Sequence, residues 1–488
     1  MTSTDGIAAV ILAAGKGTRM KSALPKVLHR LAGRPMIGHV LETVAALAPA
    51  RQVVVVGPDM AAVAEAVAPV RAAVQERQLG TADAVKAARA ALAGFEGTVL
   101  VLYGDTPLLT PGTLRAMVEA RRAQPAPAVV VLGFRPAAPA AYGRLIVGAD
   151  GQLEAIVEAR DATPAVRSIG LCNSGVMAID GKHLFALIDA VGRDNAKGEY
   201  YLTDIVKLAR ARGLACRHIE ADAAELMGVN SRAELAEAEA AMQWRLRRAA
   251  MEAGATLLDP ATTWFSHDTR LGRDVTVEPS VVFGPGVTVG DGARIRAFCH
   301  LEGATVEGGA IVGPFARLRP GARVGAGAHV GNFVEVKNAV LEAGAKANHL
   351  SYIGDARVGA AANIGAGTIT CNYDGYTKAH TDIGKGAFIG SNTALVAPVA
   401  VGDGAIVGAG SVITRDVPAD ALAIARGEQR TVEGGGAAYR ARRGAAKPKR
   451  KKAKAATSKT AAAKAKTSPI ARRGAKKAVR KATKPRRR

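Results

Sequence analysis

From residue 277 to 413 the chain places an aliphatic or phenylalanine side chain at every sixth position. Val277, Phe283, Val289, Ile295 and Leu301 are six apart. After a slip of one, Val306, Val312, Leu318, Val324, Val330 and Val336 resume the period, and after an insertion Ile383, Ile389, Leu395, Val401, Val407 and Ile413 resume it again. A helix repeats at about 3.6 residues and an ordinary strand at 2, so neither gives six. Six is the hexapeptide period of a parallel β-helix, in which one aliphatic per hexamer points inward and stacks on the next coil. Glycine often follows directly, as in Val289-Gly290, Val324-Gly325 and Val401-Gly402, and lets the chain turn a corner. A flexible Gly/Ala-rich linker would carry no such phase.

The phase breaks in two places. Thr370 and Ile383 are thirteen residues apart, read as two hexamers plus one, so Cys371-Asn372-Tyr373-Asp374-Gly375 is expected to bulge as a loop. Loops that leave a rigid scaffold are where sites tend to sit. Residues 337–352 show no clean phase and carry Lys337, Lys346, His349 and Tyr352.

The first 230 residues read differently. Apolar, β-branched runs at 7–14, 52–56, 99–103 and 128–132 alternate with Ala-rich stretches at 81–92 and 113–123. This alternation predicts an α/β domain with a mostly parallel sheet. Ser231 with Glu234 three residues on makes a capping box, Leu235, Met242, Leu246 and Ala249 share one helical face, and Gly254 is placed to end it. The expected organisation is an α/β domain over 1–230, a linker helix over 231–253, a β-helix over 254–432 and a basic tail over 433–488.

Charge separates the tail from the rest. The chain carries 66 Lys+Arg against 42 Asp+Glu, a formal +24. From Arg440 onward there are 22 Lys+Arg and no acid, which leaves 44 against 42, or +2, for the preceding residues. A body so near neutrality excludes a general nucleic-acid-binding protein. The tail, rich in Lys, Arg, Ala, Thr and Pro, buries too little apolar surface to offset chain entropy and is expected to be disordered. Runs such as Lys449-Arg450-Lys451-Lys452 bind polyanions by releasing counterions, so nucleic acid and an anionic membrane surface are both candidate partners, beside a solvated tail with none. No aromatic follows Tyr439 to stack on bases.

Four scattered cysteines, Cys172, Cys216, Cys299 and Cys371, form no CxxC pair and argue against a disulfide scaffold or zinc site. The first apolar run ends in a glycine loop rather than a cleavage site, and no stretch of about 18 apolar residues exists. The expected compartment is the cytoplasm.

The first strand runs into Ala13-Ala14-Gly15-Lys16-Gly17-Thr18-Arg19-Met20, with Pro25-Lys26 shortly after. A glycine turn after a strand exposes N–H groups that cradle phosphates, and Arg19 and Lys26 add positive charge where phosphates would lie. It is neither a Walker A loop nor a dinucleotide fingerprint, since Met20 stands where the third glycine belongs. Val99 to Tyr103 ends in Gly104-Asp105, a carboxylate at the C-terminal edge of a parallel strand. It reads either as a Mg²⁺ ligand or as a cap for the turn at Thr106-Pro107.

These motifs resemble the signature of sugar-phosphate nucleotidyltransferases. Joined to a left-handed hexapeptide β-helix, and with Gln75, Gln78-Leu79-Gly80-Thr81, Tyr142-Gly143-Arg144, Ile156-Val157-Glu158, Asn195 to Asp204 and Gly228-Val229-Asn230, the chain resembles the bacterial bifunctional uridylyltransferase/acetyltransferases that make UDP-N-acetylglucosamine. The likeness covers about residues 5–430. It implies a homotrimeric enzyme acting on UTP, glucosamine 1-phosphate and acetyl-CoA, with Mg²⁺ as cofactor and a product that feeds peptidoglycan and lipopolysaccharide synthesis. Leu12, Ala13, Ala14, Gly15, Gln75, Gly80, Thr81 and Tyr103 would hold the uridine nucleotide. Arg19 and Lys26 would act on the triphosphate. Asp105 and Asn230 would ligate Mg²⁺, and Gly143, Glu158 and Asn173 would hold N-acetylglucosamine 1-phosphate. The family usually has Asn-Thr-Gly where this chain has Asn173-Ser174-Gly175, a change that keeps the hydroxyl.

In the β-helix, Arg319 and Lys337 would bind the sugar phosphate, with Tyr352 and Asn363 on the glucosamine. His349 would be the general base of acetyl transfer. Asn372 and Tyr373 on the loop, with Ala366, Ser391, Ala409 and Arg426, would hold acetyl-CoA. The alternative is a nucleotidyltransferase for another sugar whose β-helix serves only assembly.

Overall fold

The computed structural model describes residues 6–139 and 141–445. The chain divides into two units after Arg426. The first unit opens with a nine-stranded sheet. Its strands are β1 (Ile7–Leu12), β2 (Arg51–Val56), β3 (Arg71–Val74), β4 (Thr98–Tyr103), β5 (Val129–Phe134), β6 (Arg144–Val147), β7 (Leu153–Val157), β8 (Cys172–Asp180) and β9 (Cys216–Glu220). The main order is β9-β5-β8-β4-β1-β2-β3, and β6 joins β8 to β7 at the side. β1 pairs parallel with both β2 and β4, and β8 is inserted antiparallel between β4 and β5. Helices cover both faces, which is why β1 is a continuous apolar run rather than an alternating one. Ala8, Val10 and Leu12 enter one core, and Ala9, Ile11 and Ala13 the other.

β1 and β4 end side by side, with Leu12 opposite Tyr103. Their C-terminal edges therefore deliver the Gly15–Gly17 loop and Asp105 to the same crevice, where open parallel sheets bind ligands. Of the Ala-rich stretches, the first forms a helix over Thr81–Ala87 and the second over Pro111–Arg122.

The connecting helix spans Arg232–Glu252, with the Ser231 hydroxyl accepting from the Glu234 N–H at 3.3 Å. Met242 is buried and Leu235 and Leu246 pack against the core as expected, but the packing face is wider than the apolar one. Ala249 is exposed, whereas Gln243 and Arg247 are buried. Gln243 both donates to the Phe265 carbonyl (2.6 Å) and accepts from the Phe265 N–H (2.8 Å), and Arg247 donates to the Thr263 carbonyl at 2.7 Å. These two polar side chains satisfy the backbone that starts the solenoid, where no preceding coil exists to do so.

The β-helix then winds in parallel ladders from Thr256–Leu257 to Leu422–Ala423. All seventeen phased residues are buried, none more than 4% exposed. The register explains the slips. Val277 stacks on Ile295 and Leu301 on Leu318, so these coils hold 18 or 17 residues. The segment 337–352 keeps the phase through Leu341, Ala347 and Ile353, all buried. A five-residue step and an alanine in place of a larger aliphatic hide it in the sequence. The insertion is also longer than the phase predicts. Val358 stacks on Ile383 and Ile364 on Ile389, a coil of 25 residues, so the segment between Thr370 and Ile383 is one hexamer plus seven residues, not two plus one.

One corner is turned in the left-handed conformation by Phe298, Phe315, Phe333 and Leu350 (φ 61°, 56°, 56° and 52°). Their side chains are exposed, and the three rings stack at 4.8 and 5.2 Å.

In the second unit, a helix forms over Gly435–Ala445, where a disordered tail is expected from 433. It buries no residue. Local hydrogen bonding by Ala and Arg, both strong helix formers, accounts for it without a core. Residues 446–488, which hold most of the expected tail, lie outside the described residues.

Candidate active sites

The crevice at the edge of β1 and β4 is a cleft of about 520 Å³ lined by Leu12, Ala13, Ala14, Gly15, Gln75, Gly80, Thr81, Tyr103 and Asp105, together with both predicted cations, Arg19 and Lys26. Every residue expected to hold the nucleotide base, ribose or triphosphate lines it. Met20, which replaces the third glycine of a dinucleotide fingerprint, is 1% exposed and roots the loop in the core. Gly17 has φ +60°, and a Cβ there would lie 2.6 Å from the Lys26 Cβ, so the loop and Lys26 meet only because position 17 has no side chain.

On the opposite wall, Gln75 donates to the Gly80 carbonyl (2.9 Å) and to Asp83 (2.8 Å), and the Leu79 N–H donates to Asp83 at 3.2 Å. Gly80 has φ +123°, and a Cβ would stand 2.5 Å from the Tyr200 carbonyl oxygen. Thr81 accepts from the Leu202 N–H at 2.9 Å. Gln78 reaches across to the Ala14 carbonyl and ties the two walls together.

Lys26 Nζ pairs with the Asp105 carboxylate and donates to Asn230 Oδ1 at 2.9 Å. Asp105 makes no hydrogen bond to the turn that follows it, so among the described residues the cap reading has no support. The two acceptors converge on one cationic atom. Two hard oxygens aimed at one point suit a divalent ion that completes its shell with phosphate oxygens and water.

Gly143, Glu158 and Asn173 lie beyond Tyr103. The Asn173 N–H donates to the Gly143 carbonyl (2.8 Å), and its side chain accepts from the Gly175 N–H (2.9 Å). A Cβ at Gly175 would strike the Tyr103 ring at 2.6 Å, which joins this subsite to the nucleotide cleft. Burial raises the Glu158 carboxyl above its ordinary range, against the opposing hydroxyl of Thr203. Burial, then the Glu158 and Asp105 carboxylates, push the Tyr103 phenol upward.

In the β-helix the predicted residues fall into columns. Ala347 stacks on Ile364, Ile364 on Ile389 and Ile389 on Val407, which aligns His349, Ala366, Ser391 and Ala409 in successive coils. Arg426 lies a coil further and donates to the Ala409 carbonyl at 2.6 Å. Residues spaced unevenly in sequence are thus a straight line in space. His349 heads that line, with Nδ1 bonded to Asn332 Oδ1 at 2.7 Å.

Arg319 and Lys337 stack one coil apart, because Leu318 pairs with Val336. Arg319 is held by Glu335 at 2.8 Å. Tyr352 opens the next strand, opposite Glu335. Asn363 is on a different ladder, opposite Lys346, and among the described residues it shares no hydrogen bond with Arg319, Lys337 or Tyr352. Asn372 is buried and donates to Asp355, which also accepts from Asn338 at 2.6 Å. It anchors the loop, while Tyr373 stands 60% exposed above it.

Sequence reasoning missed several neighbours. Lys16, Lys197 and Glu199 also line the nucleotide cleft. Lys378 lies against Lys337, and hydrogen bonding to that second amine, then its charge, lowers the Lys378 ammonium. Its place within the inserted segment is the signal that could have found it. Glu335 sits two residues before Lys337, on the same face of one strand, and could have been read as the partner of a basic neighbour.

Comparison with known proteins agrees with this layout. Residues 9–168 match the MobA-like NTP transferase domain, and 268–303 and 380–415 match the bacterial transferase hexapeptide (six repeats). A bifunctional protein GlmU of Paramagnetospirillum magneticum is 65% identical over 448 residues, which span 92% of this chain and 100% of that protein. Its namesake in Rhodospirillum rubrum is 67% identical over 90% of this chain and 98% of its own length. That of Sphingopyxis alaskensis is 60% identical over 87% and 94%. With both family models matched and nearly the whole length of these relatives covered, the chain belongs to the GlmU family of bifunctional transferases.

Proposed function

We propose that the chain makes UDP-N-acetylglucosamine in two steps on two sites. In the β-helix, the 2-amino nitrogen of glucosamine 1-phosphate attacks the acetyl carbonyl of acetyl-CoA. A C–N bond forms, the C–S bond breaks, and the thiolate leaves. His349 takes the amine proton, Arg319 and Lys337 hold the phosphate, Tyr352 and Asn363 orient the sugar, and the line from Ala366 to Arg426, with Asn372 and Tyr373, seats the cofactor.

In the α/β cleft, a phosphate oxygen of N-acetylglucosamine 1-phosphate attacks the α-phosphorus of UTP, and pyrophosphate leaves. The nucleophile is already an anion, so alignment and charge neutralisation do the catalysis. Leu12, Ala13, Ala14, Gly15, Gln75, Gly80, Thr81 and Tyr103 hold the nucleotide. Arg19 and Lys26 offset the triphosphate charge, and Gly143, Glu158 and Asn173 hold the sugar. Asp105 and Asn230 are the residues that would hold Mg²⁺, which when bound offsets charge on the two phosphates.

The observation that carries the two-activity reading is the column headed by His349, since a β-helix serving only assembly has no use for one. The test is thiol release from acetyl-CoA with glucosamine 1-phosphate, beside His349→Ala. Release by the parent and near-loss in the variant supports the reading. No release by folded protein overturns it and leaves the uridylyl step alone.

We further propose that the active form is a homotrimer. Asn363 lies on a different ladder from Arg319, Lys337 and Tyr352, and the Phe298–Leu350 corner exposes stacked apolar side chains. Sedimentation giving a monomer at working concentration would overturn this. Among the described residues no helix is long and apolar enough to cross a membrane, and we assign the enzyme to the cytoplasm.

The basic tail, with 22 cations from Arg440 on, we assign to polyanion binding by counterion release, nucleic acid and an anionic membrane surface being the two candidates. A salt titration against duplex DNA and anionic vesicles, with the full chain and one ending at Ala445, is the test. Equal binding by both chains overturns the assignment, and the preferred target tells the two candidates apart.

A further inference from the structure

His349 is fixed from three directions. Its strand, Lys346–His349, pairs in parallel with His329–Asn332, and Asn332 is its direct ladder partner. The Leu350 N–H donates to the Asn332 carbonyl at 3.0 Å, and the Ser351 hydroxyl donates to the His349 carbonyl at 2.9 Å. The two coils are close because position 331 is glycine. A Cβ there would lie 1.9 Å from the Asn348 carbonyl oxygen. With the backbone so held, the Asn332 side chain meets the imidazole edge-on, Oδ1 to Nδ1 at 2.7 Å.

An amide oxygen only accepts. A neutral imidazole bonded to it therefore carries its proton on Nδ1 and keeps its lone pair on Nε2. We infer that Asn332 is a positioning residue for acetyl transfer, holding His349 in the Nδ1–H tautomer so that Nε2 is the atom that accepts the proton of the attacking amine. This rests on the reading of His349 as general base. The uncharged partner fits that role. A carboxylate in its place would favour the imidazolium, which cannot accept a proton. The other titratable groups around the ring are His329, one coil before it and sensitive to its charge, and Lys346 on its own strand. Neither is hydrogen-bonded to it.

Three measurements on the full chain test this. In ¹⁵N spectra of neutral His349, assigned by its loss in His349→Ala, the Nδ1–H tautomer should dominate in the parent and give way to a mixture in Asn332→Ala. In acetyl transfer, Asn332→Ala should lower kcat by about 10- to 100-fold with KM within about twofold, as expected for impairing general-base catalysis. Asn332→Asp, nearly isosteric, should shift the acidic limb of the rate profile to higher pH by about one unit. Uridylyl transfer by the same samples reports that the chain is folded. A dominant Nε2–H tautomer in the parent, or unchanged kcat in Asn332→Ala, overturns the inference. If His349→Ala itself retains acetyl transfer, the base assignment falls instead.

Discussion

Lys26 and Asn230 are 204 residues apart in the chain, yet Nζ and Oδ1 are 2.9 Å apart, with Asp105 on the same ammonium. The last residues of the α/β domain thus close the cleft that its first loop opens. Asp105→Asn and Asn230→Ala are each expected to lower uridylyl transfer by about 10²-fold or more, the usual cost of losing a group that stabilises developing charge. Acetyl transfer should be unchanged, because no residue of this cluster belongs to the β-helix. Pyrophosphate and thiol release, measured on the same samples with and without EDTA, check both halves. EDTA should stop only the first.

Gly80 combines a left-handed backbone with a backbone oxygen 2.5 Å from where a Cβ would stand. Gly80→Ala should therefore cost about 1–3 kcal/mol of stability and move the nucleotide wall. Urea unfolding measures the first effect, and a raised KM for UTP with little change in acetyl transfer measures the second.

The inserted loop can be removed without breaking the stack. Deleting residues 373–379 turns the 25-residue coil into one of 18, the length used elsewhere in the solenoid. The shortened protein should keep its β-helix by circular dichroism and keep uridylyl transfer. Acetyl transfer should fall at least about 10²-fold, because Tyr373 and Lys378 leave with the loop.

Burial raises the Glu158 carboxyl. The folded state thus binds this proton more tightly than the unfolded chain does. The contribution of this group to stability is present at low pH and lost as pH rises through the raised value. Glu158→Gln should remove that loss, so its Tm relative to the parent should climb as pH rises above the ordinary Glu value of about 4.3. The same variant should bind N-acetylglucosamine 1-phosphate more weakly, by about tenfold in KM, because an amide accepts fewer hydrogen bonds than a carboxylate.

The fold was legible wherever one residue type recurs for one physical reason. Seventeen inward apolar residues, all aliphatic but Phe283, declare the solenoid, because each coil needs the same filler at the same place. The doubly covered sheet shows in the apolar run of β1 for a similar reason. Alanine hid the phase at Ala347, since its small volume marks core and surface alike. Gln243 and Arg247 escape the sequence reading because polar residues on a helix face imply solvent, whereas here they hold the buried backbone of the first coil. The cleft residues could be named from their motifs, and the fold confirms that they line one space. The supports of the β-helix residues, Asn332 under His349 and Asp355 under Asn372, carry no motif and emerge only when adjacent coils are brought together.

Stacked coils also act as a ruler. Neighbouring parallel strands stand about 4.8 Å apart, so the line from His349 through Ala366 and Ser391 to Ala409 spans about 14 Å, graduated in coils. A flexible acyl-bearing arm laid along it meets the base only if its length equals a whole number of those graduations. Inserting one extra coil between Ala366 and Ser391 would leave every side chain present and the core intact, yet shift the reach by one full division.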